Sequence, residues 1–240
     1  TILKFMNNFF PVSIIDDFFQ HPDDVVKLAN SLKFKQSDGF YPGKRTDFLH
    51  LLNYEFFNSV VLKVLSLHYT FMSSDISYDN VTMHFQKIKP FNKKQVNHIL
   101  NKGLVHQDAN VLLAGVVYLN KEPDLNSGTS LYMLTEKRSK EYDEKLASKK
   151  KEIYKVNQSK LTKNEIIKYQ KLIKDCNKGF KEVVKVNNVY NRLILYPGSY
   201  FHAGNYEVTQ ERLTLVFFIK KIKCITQPPI TRKNLINERT

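Results

Sequence analysis

The sequence predicts a mainly β protein, a β-sandwich or jelly-roll barrel flanked by helices, and two observations carry that prediction. Between residues 76 and 220 short stretches with strand patterning recur, separated by turn residues and preceded by two helical stretches. Thirteen Tyr and 17 Phe with no Trp suit a β core, because aromatic side chains pack well on a pleated surface. With 240 residues, 42% of them hydrophobic, the chain can bury the core of one large or two small domains, and a single catalytic domain spanning 1–240 with a helical insertion is expected.

Residues 1–20 read as a short strand or turn entering Asp16-Asp17-Phe18-Phe19. A helix is predicted from His21-Pro22-Asp23-Asp24, where Pro fits the first turn and the acids face the positive end of the helix dipole. Val25, Leu28, Ala29 and Leu32 keep the spacing that buries one stripe. Tyr41-Pro42-Gly43-Lys44-Arg45 is a turn, and a second helix of about 15 residues places Phe57, Val60, Val61, Val64, Leu65 and His68 on one face. The expected role of both helices is to brace one face of a sheet.

From Ile76 the period becomes two: Val81, Met83 and Phe85 alternate with Thr82, His84 and Gln86, one set facing a core and the other a pocket. His84 and Gln86 are either pocket-lining or half-buried strand residues. Asn92 to Asn101 is a polar loop, and Val111 to Leu119 is an apolar, β-branched run that reads as a buried strand. Asn126-Ser127-Gly128 turns into a short strand from Thr129 to Met133. Residues 135–185 are rich in Lys and Glu, free of Pro, and carry Ile166, Ile167, Tyr169, Leu172 and Ile173 at helical spacing, which predicts one or two inserted surface helices. Strands resume at Val189 to Tyr196 and Tyr200 to His202, and Leu213 to Ile219 is the last strong one. The expected division is therefore 1–75 as N-terminal helical support, 76–134 and 186–222 as the β core, 135–185 as the insertion and 223–240 as a C-terminal arm.

The formal net charge is +14. Sixteen Lys and Arg against seven Asp and Glu fall between Lys137 and Lys185, so nine of those charges belong to the insertion. Its two readings are a solvated helical face and a docking surface for an acidic partner or phosphate backbone, the second requiring steep salt dependence. The two cysteines, Cys176 and Cys224, are not in CxxC spacing and indicate neither a disulfide framework nor a zinc-thiolate site. No apolar run approaches the roughly 20 residues that span a bilayer. A soluble, cytoplasmic protein is expected, located in host cytoplasm if the gene is a phage's, with no membrane partner.

Chemistry concentrates at Val105-His106-Gln107-Asp108. Residues two apart on extended backbone project to the same side, so His106 and Asp108 can reach one ion. A second His from a distant strand completes a 2-His-1-carboxylate face, which leaves three positions open on octahedral Fe(II). His21, His50, His68 and His98 lack partners at metal spacing.

Five ordered segments then point to a family: His106-Gln107-Asp108; Val116 to Asn120; Gly128 to Tyr132; Leu195-Tyr196-Pro197-Gly198 leading to Phe201-His202; and Arg212-Leu213-Thr214. Together they resemble the Fe(II)/2-oxoglutarate-dependent oxygenases, most of all the prolyl-4-hydroxylase-like branch with its phage and bacterial relatives, some of which carry a Tyr-Pro-Gly-x-Arg element like Tyr41 to Arg45. The resemblance implies a double-stranded β-helix core of the jelly-roll or cupin type. It further implies iron ligation by His106, Asp108 and His202, and pairing of Arg212 with the distal carboxylate of 2-oxoglutarate, with Thr214 and Tyr118 beside it. Arg45 is then a candidate pocket-rim residue. The implied cofactor set is Fe(II), 2-oxoglutarate and O2, with oxidative decarboxylation to succinate and CO2 coupled to hydroxylation of an amino-acid side chain in a small-molecule or peptide substrate. Asp at position 108 argues against halogenation. Alternatives are a nucleic-acid demethylase on the same scaffold, disfavoured because no second Arg follows Arg212 on its strand, and a metal-free jelly-roll binding module.

Overall fold

In the computed structural model, the structure describes residues 10–69, 76–90, 99–136, 151–154, 161–206 and 210–224. Strand β1 (Ser13–Ile15) precedes helix α1 (Pro22–Ser31), which begins with Pro and two acids as the sequence predicts. A short hairpin follows, β2 (Lys35–Gln36) and β3 (Lys44–Arg45), so the Tyr41 to Arg45 turn also contributes a strand. The one-turn helix α2 (Leu49–Leu52) leads to α3 (Tyr54–Leu65), whose start is capped by the Asn53 side chain accepting from the Phe56 N–H. The remaining elements are β4 (Ile76–Ile88), β5 (Leu113–Tyr118), β6 (Thr129–Leu134), α4 (Lys163–Asn177), β7 (Phe180–Val186), β8 (Leu193–Pro197), β9 (Phe201–Gly204) and β10 (Arg212–Cys224).

These strands form two antiparallel sheets. The larger runs β1-β8-β5-β10-β4-β3-β2 and the smaller β7-β6-β9. Isolated bridges from Lys102 to Asn205 and from His106 to His202 add the segment before β5 to the free edge of β9. The chain therefore passes between sheets repeatedly: β4 in the large sheet, residues 102–106 in the small, β5 large, β6 and β7 small, β8 large, β9 small, β10 large. That winding is a double-stranded β-helix, and the molecule is mainly β with flanking helices.

Alternation along the central strands separates two apolar layers. Met83 and Phe85 of β4, Leu113 and Val117 of β5, and Leu213, Leu215 and Phe217 of β10 pack against Val25 and Ala29 of α1 and Phe57, Val60, Val61 and Val64 of α3. The two helices thus brace the outer face of the large sheet. Gly115 makes room there, since a Cβ on it would lie 2.1 Å from the Phe217 ring. The inner layer, with Val116, Leu131, Val186, Ile194 and Val216, lies between the sheets.

Two expectations for the insertion change. Phe180–Val186, all but its last residue in the stretch read as helical, is strand β7, hydrogen-bonded to β6. It is the outermost strand of the small sheet and largely exposed, so Lys181, Glu182 and Lys185 decorate an edge, where charge discourages further pairing. Its composition therefore imitates a solvated helix. Helix α4 is helical as predicted and starts with a Thr162/Glu165 capping box, but one side of it is not surface. Tyr169, Leu172, Ile173 and Cys176 pack with Leu100, Leu104 and Ile153 in a third apolar cluster. The end of α4 also grips the segment that leads to His106. Asn177 Oδ1 accepts from the Val105 N–H at 2.9 Å, and Asn177 Nδ2 donates to the Gly103 carbonyl at 3.0 Å. The C-terminal arm, His98 and most of the predicted 92–101 loop lie outside the described residues; Ile99–Asn101 is a 3-10 turn.

Candidate metal and anion site

Backbone pairing brings together the residues that sequence reasoning singled out. The His106 N–H donates to the His202 carbonyl at 3.0 Å, and the His202 N–H returns the bond at 2.9 Å. The two imidazoles then stand 4.4 Å apart, centroid to centroid. Asp108 is anchored two residues on by its own N–H, which donates to the Gly198 carbonyl at 2.9 Å. His106, Asp108 and His202 thereby form a cluster whose ligand atoms all lie within 4.8 Å of one another.

The protonation pattern of this cluster fits a cation. Nδ1 of His106 lies 2.8 Å from the Leu104 carbonyl and Nδ1 of His202 lies 2.9 Å from the Tyr200 carbonyl. A carbonyl oxygen only accepts, so each Nδ1 carries a proton, and in the neutral ring each Nε2 presents a lone pair. Those lone pairs face Asp108, His202 Nε2 at 3.4 Å from Oδ2 and His106 Nε2 at 3.8 Å from Oδ1. Burial drives the His202 pKa down to about 4, so it is neutral at neutral pH. Burial also raises the Asp108 carboxyl, against the pull of His106 and Arg45. Asp108 Oδ2 is buried without a hydrogen-bond partner. Electron-rich atoms converging in a desolvated site repel one another unless a positive ion sits among them. Imidazoles whose far nitrogens are held by backbone carbonyls are the usual arrangement of metal-ligating His. The residues present fit a divalent metal.

The cluster opens on a cavity of about 580 Å³, lined also by Arg45, Tyr196, Tyr206 and Arg212. Arg212 is 4% exposed, and its Nε has no hydrogen-bond partner. Its guanidinium sits 5.4 Å from the Tyr118 ring centroid, and its terminal nitrogen reaches the Gly128 carbonyl only at 3.5 Å. Among the described residues no carboxylate lies within ion-pair distance of it. A buried guanidinium in this state has the chemistry to hold an anion. Thr214 and Tyr118, paired across β10 and β5, stand beside Arg212 but behind the cavity lining. Thr214 Oγ1 is buried and unpaired, whereas the Tyr118 hydroxyl is engaged, donating to Thr129 Oγ1 at 2.8 Å.

Of the two uncertain β4 residues, Gln86 lines the cavity. His84 does not; its ring packs against Phe48 and its Nδ1 contacts the Thr46 carbonyl. His68 is a core residue against Phe10. Sequence reasoning missed Lys151, Tyr154, Tyr206, Phe218 and Lys220, all of which line the cavity. The period-two row from Arg212 through Val216 would have found Phe218 and Lys220. No local signal marks Lys151 or Tyr154.

The chain is similar to several solved structures. A Pseudomonas putida prolyl-4-hydroxylase shares 13% identity over 92% of this chain and 97% of that one, with a TM-score of 0.46. A Trichoplax adhaerens prolyl hydroxylase, solved with a hypoxia inducible factor oxygen degradation domain peptide fragment, shares 13% over 87% and 82%, at 0.48. The non-heme alpha-ketoglutarate-dependent epimerase SnoN from nogalamycin biosynthesis shares 11% over 90% and 82%, also at 0.48. No curated protein sequence matches the chain. One family model matches residues 2–218, and by that match the chain belongs to DUF6445, a family of unknown function.

Proposed function

We propose that the protein is an Fe(II)- and 2-oxoglutarate-dependent dioxygenase that hydroxylates an amino-acid side chain, free or in a peptide. One observation carries the reading: two imidazoles and a largely desolvated carboxylate converge on one point, and a buried guanidinium with no carboxylate partner among the described residues faces the same cavity. Metal and co-substrate, when bound, supply O2 activation and C–H oxidation, with succinate and CO2 as co-products.

The chain's own residues supply the rest. His106, Asp108 and His202 hold the metal, and the Leu104 and Tyr200 carbonyls fix the imidazole orientations through Nδ1. Arg212 would take the distal carboxylate of 2-oxoglutarate with its planar fork, with Thr214 two residues along the same row behind it. The Tyr118 ring holds the Arg212 guanidinium in place by its π-face. Val111, Val116 and Val216 wall the cavity with apolar surface, which excludes water and strengthens these interactions.

Anaerobic addition of Fe(II) and then 2-oxoglutarate tests this directly. Wild-type protein develops the weak visible band of the iron chelate, His106→Ala does not, and Arg212→Ala needs roughly 10–100 times more co-substrate, the loss expected for a charged hydrogen-bonded contact. A wild type that forms no band at millimolar 2-oxoglutarate removes the oxygenase reading and leaves the metal-free binding module.

A further inference from the structure

The β2–β3 hairpin plays no part in holding the metal cluster, yet it delivers a second guanidinium to the same cavity. Gly43 adopts φ +74, and a Cβ there would meet the Lys87 carbonyl at 2.2 Å, so the turn depends on glycine to lie against β4. Strand β3 then pairs Arg45 with Gln86 on β4. Gln86 donates to the Pro42 carbonyl at 2.7 Å, which turns its own carbonyl oxygen toward Arg45.

The Arg45 guanidinium is held by its faces and left open at its edges. Its carbon lies 4.2 Å from the Tyr41 ring centroid and 5.6 Å from that of Phe218. Its Nε is buried without a partner, and its contact with Gln86 Oε1 is long, at 3.5 Å. Among the described residues no carboxylate comes within 4.0 Å of it. Burial lowers its pKa to about 10, which leaves it cationic at neutral pH. Asp108 is its nearest carboxylate influence but lies beyond ion-pair distance, so a largely desolvated Arg45 gains from a ligand that supplies a closer anion.

From this geometry we infer that Arg45 docks an anionic group of the substrate, a carboxylate or a phosphate. This rests on the oxygenase reading above and names the substrate class it takes. Arg45 and Arg212 reach the cavity from different strands, Arg45 from β3 against Tyr41 and Phe218, and Arg212 from β10 beside Tyr118. The two cations are accordingly assigned to different anions. The charge balance of the lining agrees. Lys151 and Lys220 join the two arginines, and Asp108 is the single carboxylate among the lining residues. Once Asp108 is committed to a metal and Arg212 to the co-substrate, Arg45 has no anionic partner among the described lining residues, and Lys151 and Lys220 add positive potential to the same cavity. Substrates lacking an anionic group leave the buried Arg45 Nε without a partner, so the site discriminates against them.

Calorimetric titration of the Fe(II)- and 2-oxoglutarate-loaded protein under anaerobic conditions, with acetate, methyl phosphate and neutral acetamide as probes, tests the inference. At least one anion binds the wild type more tightly than acetamide. Arg45→Met weakens that binding at least tenfold, and Arg45→Lys recovers part of it. Comparing acetate with methyl phosphate tells carboxylate from phosphate. The amount of 2-oxoglutarate needed to form the visible band is unchanged in Arg45→Met. Its melting temperature is equal to or above wild type, because an unpaired buried charge has been removed. Equal anion binding in Arg45→Met and wild type overturns the inference, as does no preference for anions over acetamide. A rise in the co-substrate requirement like that of Arg212→Ala assigns Arg45 to 2-oxoglutarate instead. A melting temperature lowered by more than a few degrees makes Arg45 structural. If wild type forms no visible band, the oxygenase reading has failed on its own, and the same titration without iron or co-substrate still decides whether Arg45 binds anions.

Discussion

On β10, Leu213, Leu215, Phe217 and Ile219 turn to one side of the large sheet, while Arg212, Thr214, Val216 and Phe218 turn to the other. The first set is packed under α1 and α3 in a continuous apolar layer. The second faces the cavity and its surroundings, where Arg212 Nε and Thr214 Oγ1 are buried without partners, as is Asp108 Oδ2 across the cavity. One backbone thus places fully satisfied apolar contacts on one face and unsatisfied polar groups on the other. The outer face provides the stability that lets the inner face remain electrostatically incomplete until ligands arrive.

The comparison breaks most visibly from the outer side. Phe217→Ala removes a fully buried ring packed over Gly115 and should cost about 3–5 kcal/mol in urea denaturation. Metal affinity in the surviving folded protein should stay as in wild type. Asp108→Ala does the reverse. Fe(II) or Zn(II) affinity falls more than about a hundredfold, because even outer partners of a ligand cost 10–100-fold, while the metal-free protein is no less stable for losing an unpaired buried carboxylate. Urea denaturation with and without metal reads both effects.

A smaller effect belongs to the hairpin that bridges both faces. Gly43→Ala forces a side chain into a left-handed conformation and against the Lys87 carbonyl, with an expected loss of roughly 1–3 kcal/mol in denaturant unfolding. The smallest is on pH. The folded-state pKa of His202, about 4, lies below the ordinary value of 6.5, so on acidification the unfolded chain takes up the proton first. The stability of the metal-free protein is therefore full above pH 6.5 and declines as pH falls toward 4. Asp108, raised by burial, takes its proton first in the folded state and offsets part of that decline. Denaturation midpoints at pH 7, 5.5 and 4.5 measure the slope. A flat profile would show that His202 is not held neutral.

Much of this was legible without coordinates. Pro22 with its two acids marked the start of α1, and period two marked β4, because a helix dipole and a pleated strand act on adjacent residues only. Strand β7 was not legible: at an exposed edge the side chains need no apolar alternation, so Lys and Glu there look like a helix surface. The buried side of α4 could be seen as an apolar stripe, but its partner could not, since Leu100 and Leu104 lie some sixty residues or more before it. Asn177, which clasps Val105 and Gly103 through both ends of its amide, is ordinary in sequence and significant only by position.

The candidate site divides in the same way. The residue types and spacing of His106, Asp108, His202 and Arg212 are local facts, and the sequence by itself determined that they could serve a metal and an anion. Their meeting depends on the bridge between His106 and His202, a pairing across 96 positions that no local pattern encodes. Arg45 shows the limit most clearly. The Tyr-Pro-Gly turn is written in the chain, but the direction of its arginine was decided only when β3 paired with β4 and closed over Phe218. Local propensity and periodicity act over a few residues, whereas strand pairing decides which distant side chains share a cavity and which of them are left there without a partner.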